Sequence, residues 1–161
     1  MKRLIIVRHG KAEEIFKESD DFQRHLTSKG IKDSLKVARK IKFMYLNPDL
    51  LISSPANRAL ETAQNFAEEL SYPVENIELF DSLYYYFNNE KLFKYIKNID
   101  NKHKTIIIFG HNPYLSLFVN TLLSGNNISL HTSGAVGISF PTESWGKIAE
   151  SKGKMIFYEI P

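Results

Sequence analysis

Short apolar runs alternate along the chain with longer stretches whose apolar residues recur at helical spacing. The run RLIIV, Arg3 to Val7, is β-rich and reads as a strand buried on both faces. Residues Lys11 to Leu26 are polar, carry several charges and read as loop. From Thr27, a stripe at Ile31, Leu35, Ala38, Ile41 and Tyr45 has the spacing of an amphipathic helix, capped by Thr27 or Ser28 and stopped by Asn47-Pro48. A second strand follows over Asp49 to Ser54, and Pro55 stands where the first residue of the next helix is expected. Ala59, Ala63, Phe66, Ala67 and Leu70 supply the inner face of that helix. Further on, Ile77 to Phe80 reads as a third strand, Asn89 to Ile99 as a third helix and Thr105 to Phe109 as a fourth strand. Asn112-Pro113 opens a fourth helix with Leu115, Phe118, Val119 and Leu122 inward. Ala135 to Phe140 and Met155 to Ile160 form a closing, hairpin-like pair, with Trp145 in the long connection.

Strand and helix alternating four times predict an α/β fold, a three-layer sandwich with a mostly parallel central sheet and helices on both faces. The 161 residues suit one domain with one sizeable core. No apolar stretch nears the roughly 18 residues that span a bilayer, so no membrane partner is expected. The basic start MKRLIIVRHG has too short an apolar run for a signal peptide, which favours the cytoplasm. The chain has no cysteine, which excludes disulfides and thiolate metal sites. Its net charge of +3 suits anionic partners, but no long Lys/Arg run marks a nucleic-acid arm.

The chemistry lies at the strand ends. In an open parallel sheet, ligands bind beyond the carboxyl ends of the strands. The first strand ends in Arg8-His9-Gly10, the second in Ser53-Ser54-Pro55 with Arg58 one turn into the helix, and the fourth in Gly110-His111-Asn112-Pro113. Parallel strands would gather two guanidiniums and two imidazoles on one rim, beside two helix N-termini. Guanidiniums hold phosphate oxygens through paired, charge-assisted hydrogen bonds, and helix N-termini add N–H donors. An imidazole adds nucleophilic chemistry: a neutral ring nitrogen can attack phosphorus and become phosphohistidine. Neighbouring arginines disfavour the imidazolium and so keep that nitrogen neutral. His111 is then the donor to the charge that develops on the equatorial oxygens, and water completes the cycle. Arginines and His111 supply the positive charge, so neither metal nor cofactor is expected.

The motifs RHGKAE, SSPANRALETA and GHNP resemble, in order, the three signatures of the histidine phosphatase superfamily, with its phosphoglycerate mutase-like fold. RHLTSKG, Arg24 to Gly30, and the ending from SGAVGISF to KMIFYEIP are closer still to the SixA-type branch, whose members are phosphohistidine phosphatases of signalling proteins. The resemblance covers nearly the whole chain. It implies that His9 is the nucleophile, that Arg8, Arg58 and His111 form the phosphate pocket, and that one strand runs against the others. It also implies a phosphorylated protein or a small phosphorylated molecule as partner.

Two departures shape the expectation. Many relatives carry a general-acid carboxylate after the third strand; here LFDSLYYYF offers Asp81 as the candidate acid, for which a surface or capping role is the ordinary reading. A nitrogen leaving group needs protonation less than an alkoxide does, which leans toward phosphoramidate substrates. Only a short segment lies between Phe80 and Thr105, so the site has no room for the helical lid of larger relatives. An open site admits a side chain on a folded protein and argues against mutase chemistry. The alternatives are a small-molecule phosphomonoesterase and a non-catalytic module that binds phosphoproteins.

Other features have plainer readings. Asn112 is an N-cap first and a phosphate-binding candidate second. Arg58 as an ordinary helix residue would pair with Glu61 or Asp33. Ser53 and Ser54 read as turn and cap residues, with no GxSxG pattern to support a serine nucleophile. His25, His103 and His131 are isolated and lack metal-ligand spacing. Tyr84-Tyr85-Tyr86-Phe87 reads as alternating ring burial at the sheet edge, with an exposed fraction near the pocket.

Overall fold

The computed structural model describes residues 1–15, 20–44, 46–85, 87–124, 127–150 and 152–161. Six strands form one sheet: β1 (Lys2–Arg8), β2 (Leu50–Ser53), β3 (Glu78–Leu79), β4 (Thr105–Gly110), β5 (Ala135–Phe140) and β6 (Lys154–Glu159). The helices are α1 (Ser28–Phe43), α2 (Asn57–Glu69), α3 (Asn89–Lys97) and α4 (Tyr114–Leu122). The strand order is β3-β2-β4-β1-β5-β6. β3, β2, β4 and β1 are parallel, and β5 is antiparallel to both β1 and β6. β5 is therefore the one reversed strand, as the family resemblance implies.

The near-continuous apolar strands follow from burial on both faces. Leu4, Ile6, Ile52, Ile106 and Ile108 pack on one side with Phe93, Ile96, Leu115 and Phe118 of α3 and α4. Ile5, Val7, Leu51, Ile107 and Phe109 face the other side, against Val37, Ala38 and Ile41 of α1 and Ala63 and Phe66 of α2. This is the expected three-layer sandwich.

Several local expectations need correction. The inner face of α1 is Gly30, Ser34, Val37, Ala38 and Ile41, while Ile31 is exposed and Leu35 only half-buried; Tyr45 lies outside the described residues. The cause is at the N-terminus of α1. A Cβ on Gly30 would stand 2.2 Å from the Lys11 carbonyl oxygen, so backbone, not an aliphatic side chain, sets the rotation of the first turn. Ser34 is satisfied within the core, donating to the Ile31 carbonyl and accepting from Asn65. Neither proline opens a helix at its first residue. α2 starts at Asn57 after Ala56, and α4 starts at Tyr114 after Pro113, so Asn112 is not the cap either. The third strand is shorter than Ile77 to Phe80, and the 11–26 loop contains a 3-10 turn at Asp21–Gln23 and a bridge between Ala12 and Leu26. Trp145 is buried in its own 3-10 turn. Its indole donates to the His103 carbonyl, which also accepts from the buried Lys2 ammonium.

Candidate active site

The parallel register brings the predicted ends together. Arg8 is paired with Gly110 across β1 and β4, and the His9 amide donates to the Gly110 carbonyl at 3.0 Å. The Ser54 amide donates to Phe109 at 2.9 Å, which sets the end of β2 beside the end of β4. Gly10 closes the link to α2: its amide donates to Thr62 Oγ1, and that hydroxyl donates to the Arg58 carbonyl. A Cβ on Gly10 would lie 2.9 Å from the Gly30 carbonyl oxygen and 3.0 Å from Ser133 Oγ, so the turn has no space for a larger residue.

His9 and His111 lie with ring centroids 5.1 Å apart. His9 Nδ1 is 2.7 Å from the Gly10 carbonyl. A carbonyl only accepts, so Nδ1 carries the proton and Nε2 keeps its lone pair. Arg58 Nε donates to that Nε2 at 3.4 Å. Burial is the main reason His9 is pulled down to about 4; the Gly10 hydrogen bond opposes it, and the charges of Arg58, Arg8 and Arg24 add to it. Burial likewise lowers His111 to about 3, helped by His9 and Arg58 and opposed by Asp21. Both rings are neutral at physiological pH.

Arg8 donates from Nη1 to the Leu130 carbonyl at 3.0 Å, and its buried Nε has no hydrogen-bond partner among the described residues. Asn112 is occupied in holding the same loop: its amide nitrogen donates to the Leu130 carbonyl and its oxygen accepts from Ser116 Oγ. Asp81 is exposed in a 3-10 turn, and no hydrogen bond among the described residues joins its carboxylate to the histidine pair.

Three participants escaped the sequence reading. Asp21 holds Arg58, whose Nη1 donates to its carbonyl at 2.7 Å and Nη2 to its Oδ2 at 3.0 Å. Glu61 instead engages His25, and Asp33 engages Lys29, so neither pairs with Arg58. Tyr84 donates to Asp21 Oδ2, lies 5.9 Å from the Arg58 guanidinium and meets His111 edge-on at 5.5 Å. Burial would raise the Asp21 carboxyl, but bonds from Arg24 and Tyr84 and the charge of Arg58 outweigh it and hold Asp21 at about 2. Ser133 is buried with φ of 59°, and its amide donates to the His9 carbonyl. The signal for Asp21 was its spacing to Arg24, three residues on, which forms a 2.9 Å ion pair. Of the aromatic run, Tyr85 is exposed, Tyr86 lies outside the described residues, and Phe87 stacks on Tyr114.

The neutral histidines have a measurable consequence. Unfolding returns them to about 6.5, so between that pH and about 4 the unfolded chain binds more protons and stability falls as pH falls. Each contributes a slope of roughly 1 kcal/mol per pH unit. Urea unfolding at pH 6.5 and 5 should show this loss, and His9→Gln should remove about half of the two-histidine contribution.

Among the described residues, no group of three or more His, Asp or Glu is placed to hold a metal ion, and no helix is long and apolar enough to cross a membrane.

The three-layer α/β fold, with its mostly parallel sheet, gathers Arg8, His9 and His111 at strand ends beside Arg58 in the first turn of α2. A family model for the histidine phosphatase superfamily (branch 1) matches residues 4–85, and the chain belongs to that superfamily. A chloroplastic, uncharacterized protein of Arabidopsis thaliana is 28% identical over 151 residues, covering 89% of this chain and 69% of the relative. The protein histidine phosphatase SixA in complex with tungstate superposes with a TM-score of 0.84 at 20% identity, covering 98% of this chain and 96% of that one. A structure from Agrobacterium tumefaciens assigned as the phosphohistidine phosphatase SixA gives 0.82 at 20% identity, covering 99% and 98%. The fold of the described residues is that of these SixA structures.

Proposed function

We propose that the protein is a phosphatase that works through a phosphohistidine on His9 and acts on phosphohistidine in a protein partner. The observation that carries this reading is the Nδ1 contact of His9 to the Gly10 carbonyl, which leaves Nε2 as a neutral lone pair beside Arg58. Nε2 attacks phosphorus as the bond to the leaving group breaks. Arg8, Arg58 and His111 hold the equatorial oxygens, where negative charge is greatest. Water then attacks the phosphorylated His9, releases phosphate and restores the imidazole.

The leaving group sets the substrate class. An alkoxide departs with difficulty unless an acid protonates it. Asp21, the carboxylate bonded to Arg58, is held at about 2 and carries no proton at neutral pH. A phosphohistidine ring protonated on its other nitrogen departs as neutral imidazole, with no proton to be delivered. The cationic groups already present supply the charge that a metal would bring, so turnover is expected to persist in EDTA.

The test compares a phosphohistidine peptide with para-nitrophenyl phosphate and an alkyl phosphate, each with and without EDTA. The peptide should turn over fastest, and an acid-labile, base-stable phosphoenzyme should be trapped on rapid quenching. Faster turnover of the alkyl ester would assign the protein to small phosphomonoesters. Binding without turnover of any of them would make it a phosphoprotein-binding module.

A further inference from the structure

The Ser54 hydroxyl, fully buried at the end of β2, stands 2.7 Å from His111 Nε2. We infer that Ser54 is a positioning residue: its hydroxyl donates to Nε2, fixes His111 in the Nδ1–H tautomer and makes it a donor to the phosphoryl group. The place of that group is taken from the function proposed above, on which the inference rests.

His111 is neutral, so one of its two ring nitrogens carries a proton and the other a lone pair. Among the described residues, Ser54 Oγ has two hydrogen-bond neighbours: His111 Nε2 and the Ala56 amide, which can only donate, at 3.3 Å. If Nε2 carried the proton, Ser54 would accept twice and its own hydroxyl proton would be buried without an acceptor. Leaving such a group unmatched is unfavourable, and the alternative leaves over only the Nδ1–H, the proton that the proposed phosphoryl group would accept. The hydroxyl accepts from Ala56 and donates to Nε2, and the His111 proton resides on Nδ1.

Nδ1 is buried and has no hydrogen-bond partner among the described residues. It shares that condition with Arg8 Nε at the end of the neighbouring strand. A lone pair at this position would repel phosphoryl oxygens, whereas an N–H attracts them. The two histidines thus hold the same tautomer for opposite uses. His9 is fixed by a carbonyl that accepts from Nδ1 and offers its Nε2 lone pair, while His111 is fixed by a hydroxyl that donates to Nε2 and offers its Nδ1–H. Ser54 belongs to the SSP segment that precedes α2, so a residue readable as a simple turn former sets the chemical sense of a histidine 57 positions away.

The tautomer can be read without activity. In ring-nitrogen NMR of the free protein at pH 7, assigned by loss of the signals in His111→Gln, His111 should show a protonated Nδ1 and an unprotonated Nε2. Ser54→Ala should shift the ring toward the Nε2–H form and lower kcat roughly tenfold to a hundredfold, less than deletion of an entire oxyanion donor. Its KM should change less, and Ser54→Thr should restore the nitrogen shifts. A wild-type spectrum with Nε2 protonated overturns the inference even if no Ser54 variant folds, as does a Ser54→Ala spectrum identical to wild type. If Ser54→Ala changes the tautomer but not kcat, His111 is not the donor, while trapping of phosphate on His9 still decides the earlier reading on its own.

Discussion

His9→Ala should abolish turnover, by about four orders of magnitude or more, while tungstate binding stays within severalfold of wild type. The two halves of that expectation have separate causes. Removing the nucleophile closes the covalent route, and among the described residues nothing else in contact with Arg58 has a lone pair suited to attack phosphorus. Asp21 also contacts Arg58, but a carboxylate held at about 2 is a poor nucleophile tied into three hydrogen bonds by Arg24, Arg58 and Tyr84. Oxyanion affinity persists because the remaining groups are untouched. Deleting the imidazole also frees Arg58 Nε, which in the native site donates to His9 Nε2. The measurements are single-turnover kinetics with a phosphohistidine peptide and calorimetric titration with tungstate, after urea unfolding has shown a folded variant. A variant that keeps more than one part in a hundred of wild-type turnover would remove His9 from the role of nucleophile.

The four residues at the centre were legible because a parallel sheet does the gathering. Once Arg3–Val7, Asp49–Ser54 and Thr105–Phe109 are read as parallel neighbours, Arg8, His9, Ser54 and His111 must share a rim, whatever the loops do. Arg58 follows because the helix after β2 starts at that rim. Asp21 was hidden for the opposite reason. It lies in a stretch without periodicity, and its partners Arg58 and Tyr84 are 37 and 63 residues away. Only the fold decides that this carboxylate, rather than Glu61 or Asp33, meets Arg58. The rotation of α1 was misread through the same blind spot. Hydrophobic spacing placed Ile31 inward, but contact between Gly30 and the Lys11 backbone fixes the first turn and leaves Ile31 42% exposed. Side-chain polarity carries no record of a backbone-to-backbone contact. Ser54 lies between these cases: its position could be read from the chain, but its bond to His111 needed coordinates.

Arg58→Ala should lower kcat/KM by more than the loss of one arginine would, and Asp21→Asn in the same chain should recover part of the deficit. A charge-assisted hydrogen bond contributes about 1.5–3 kcal/mol, so losing the contact to a phosphoryl oxygen alone predicts a fall of roughly tenfold to a hundredfold. The second part comes from what remains. In the native site Asp21 Oδ2 accepts from both Arg58 Nη2 and Tyr84, and Oδ1 accepts from Arg24. Without Arg58, the carboxylate keeps Arg24 and Tyr84 but loses the cation that separates it from His9, and its charge then opposes the incoming phosphoryl dianion. The single change should therefore cost more than a hundredfold. Asp21→Asn alone should lower kcat/KM only modestly, because Arg58 keeps its bond to the Asp21 backbone carbonyl position. In the double variant the repulsion is gone, and recovery of about tenfold over Arg58→Ala is expected. That makes the coupling between the two sites favourable in a double-mutant cycle. Tungstate affinity should follow the same order. A double variant no better than Arg58→Ala would mean that Asp21 does not face the anion, and that its bonds serve only to fold the 20–27 loop onto α2.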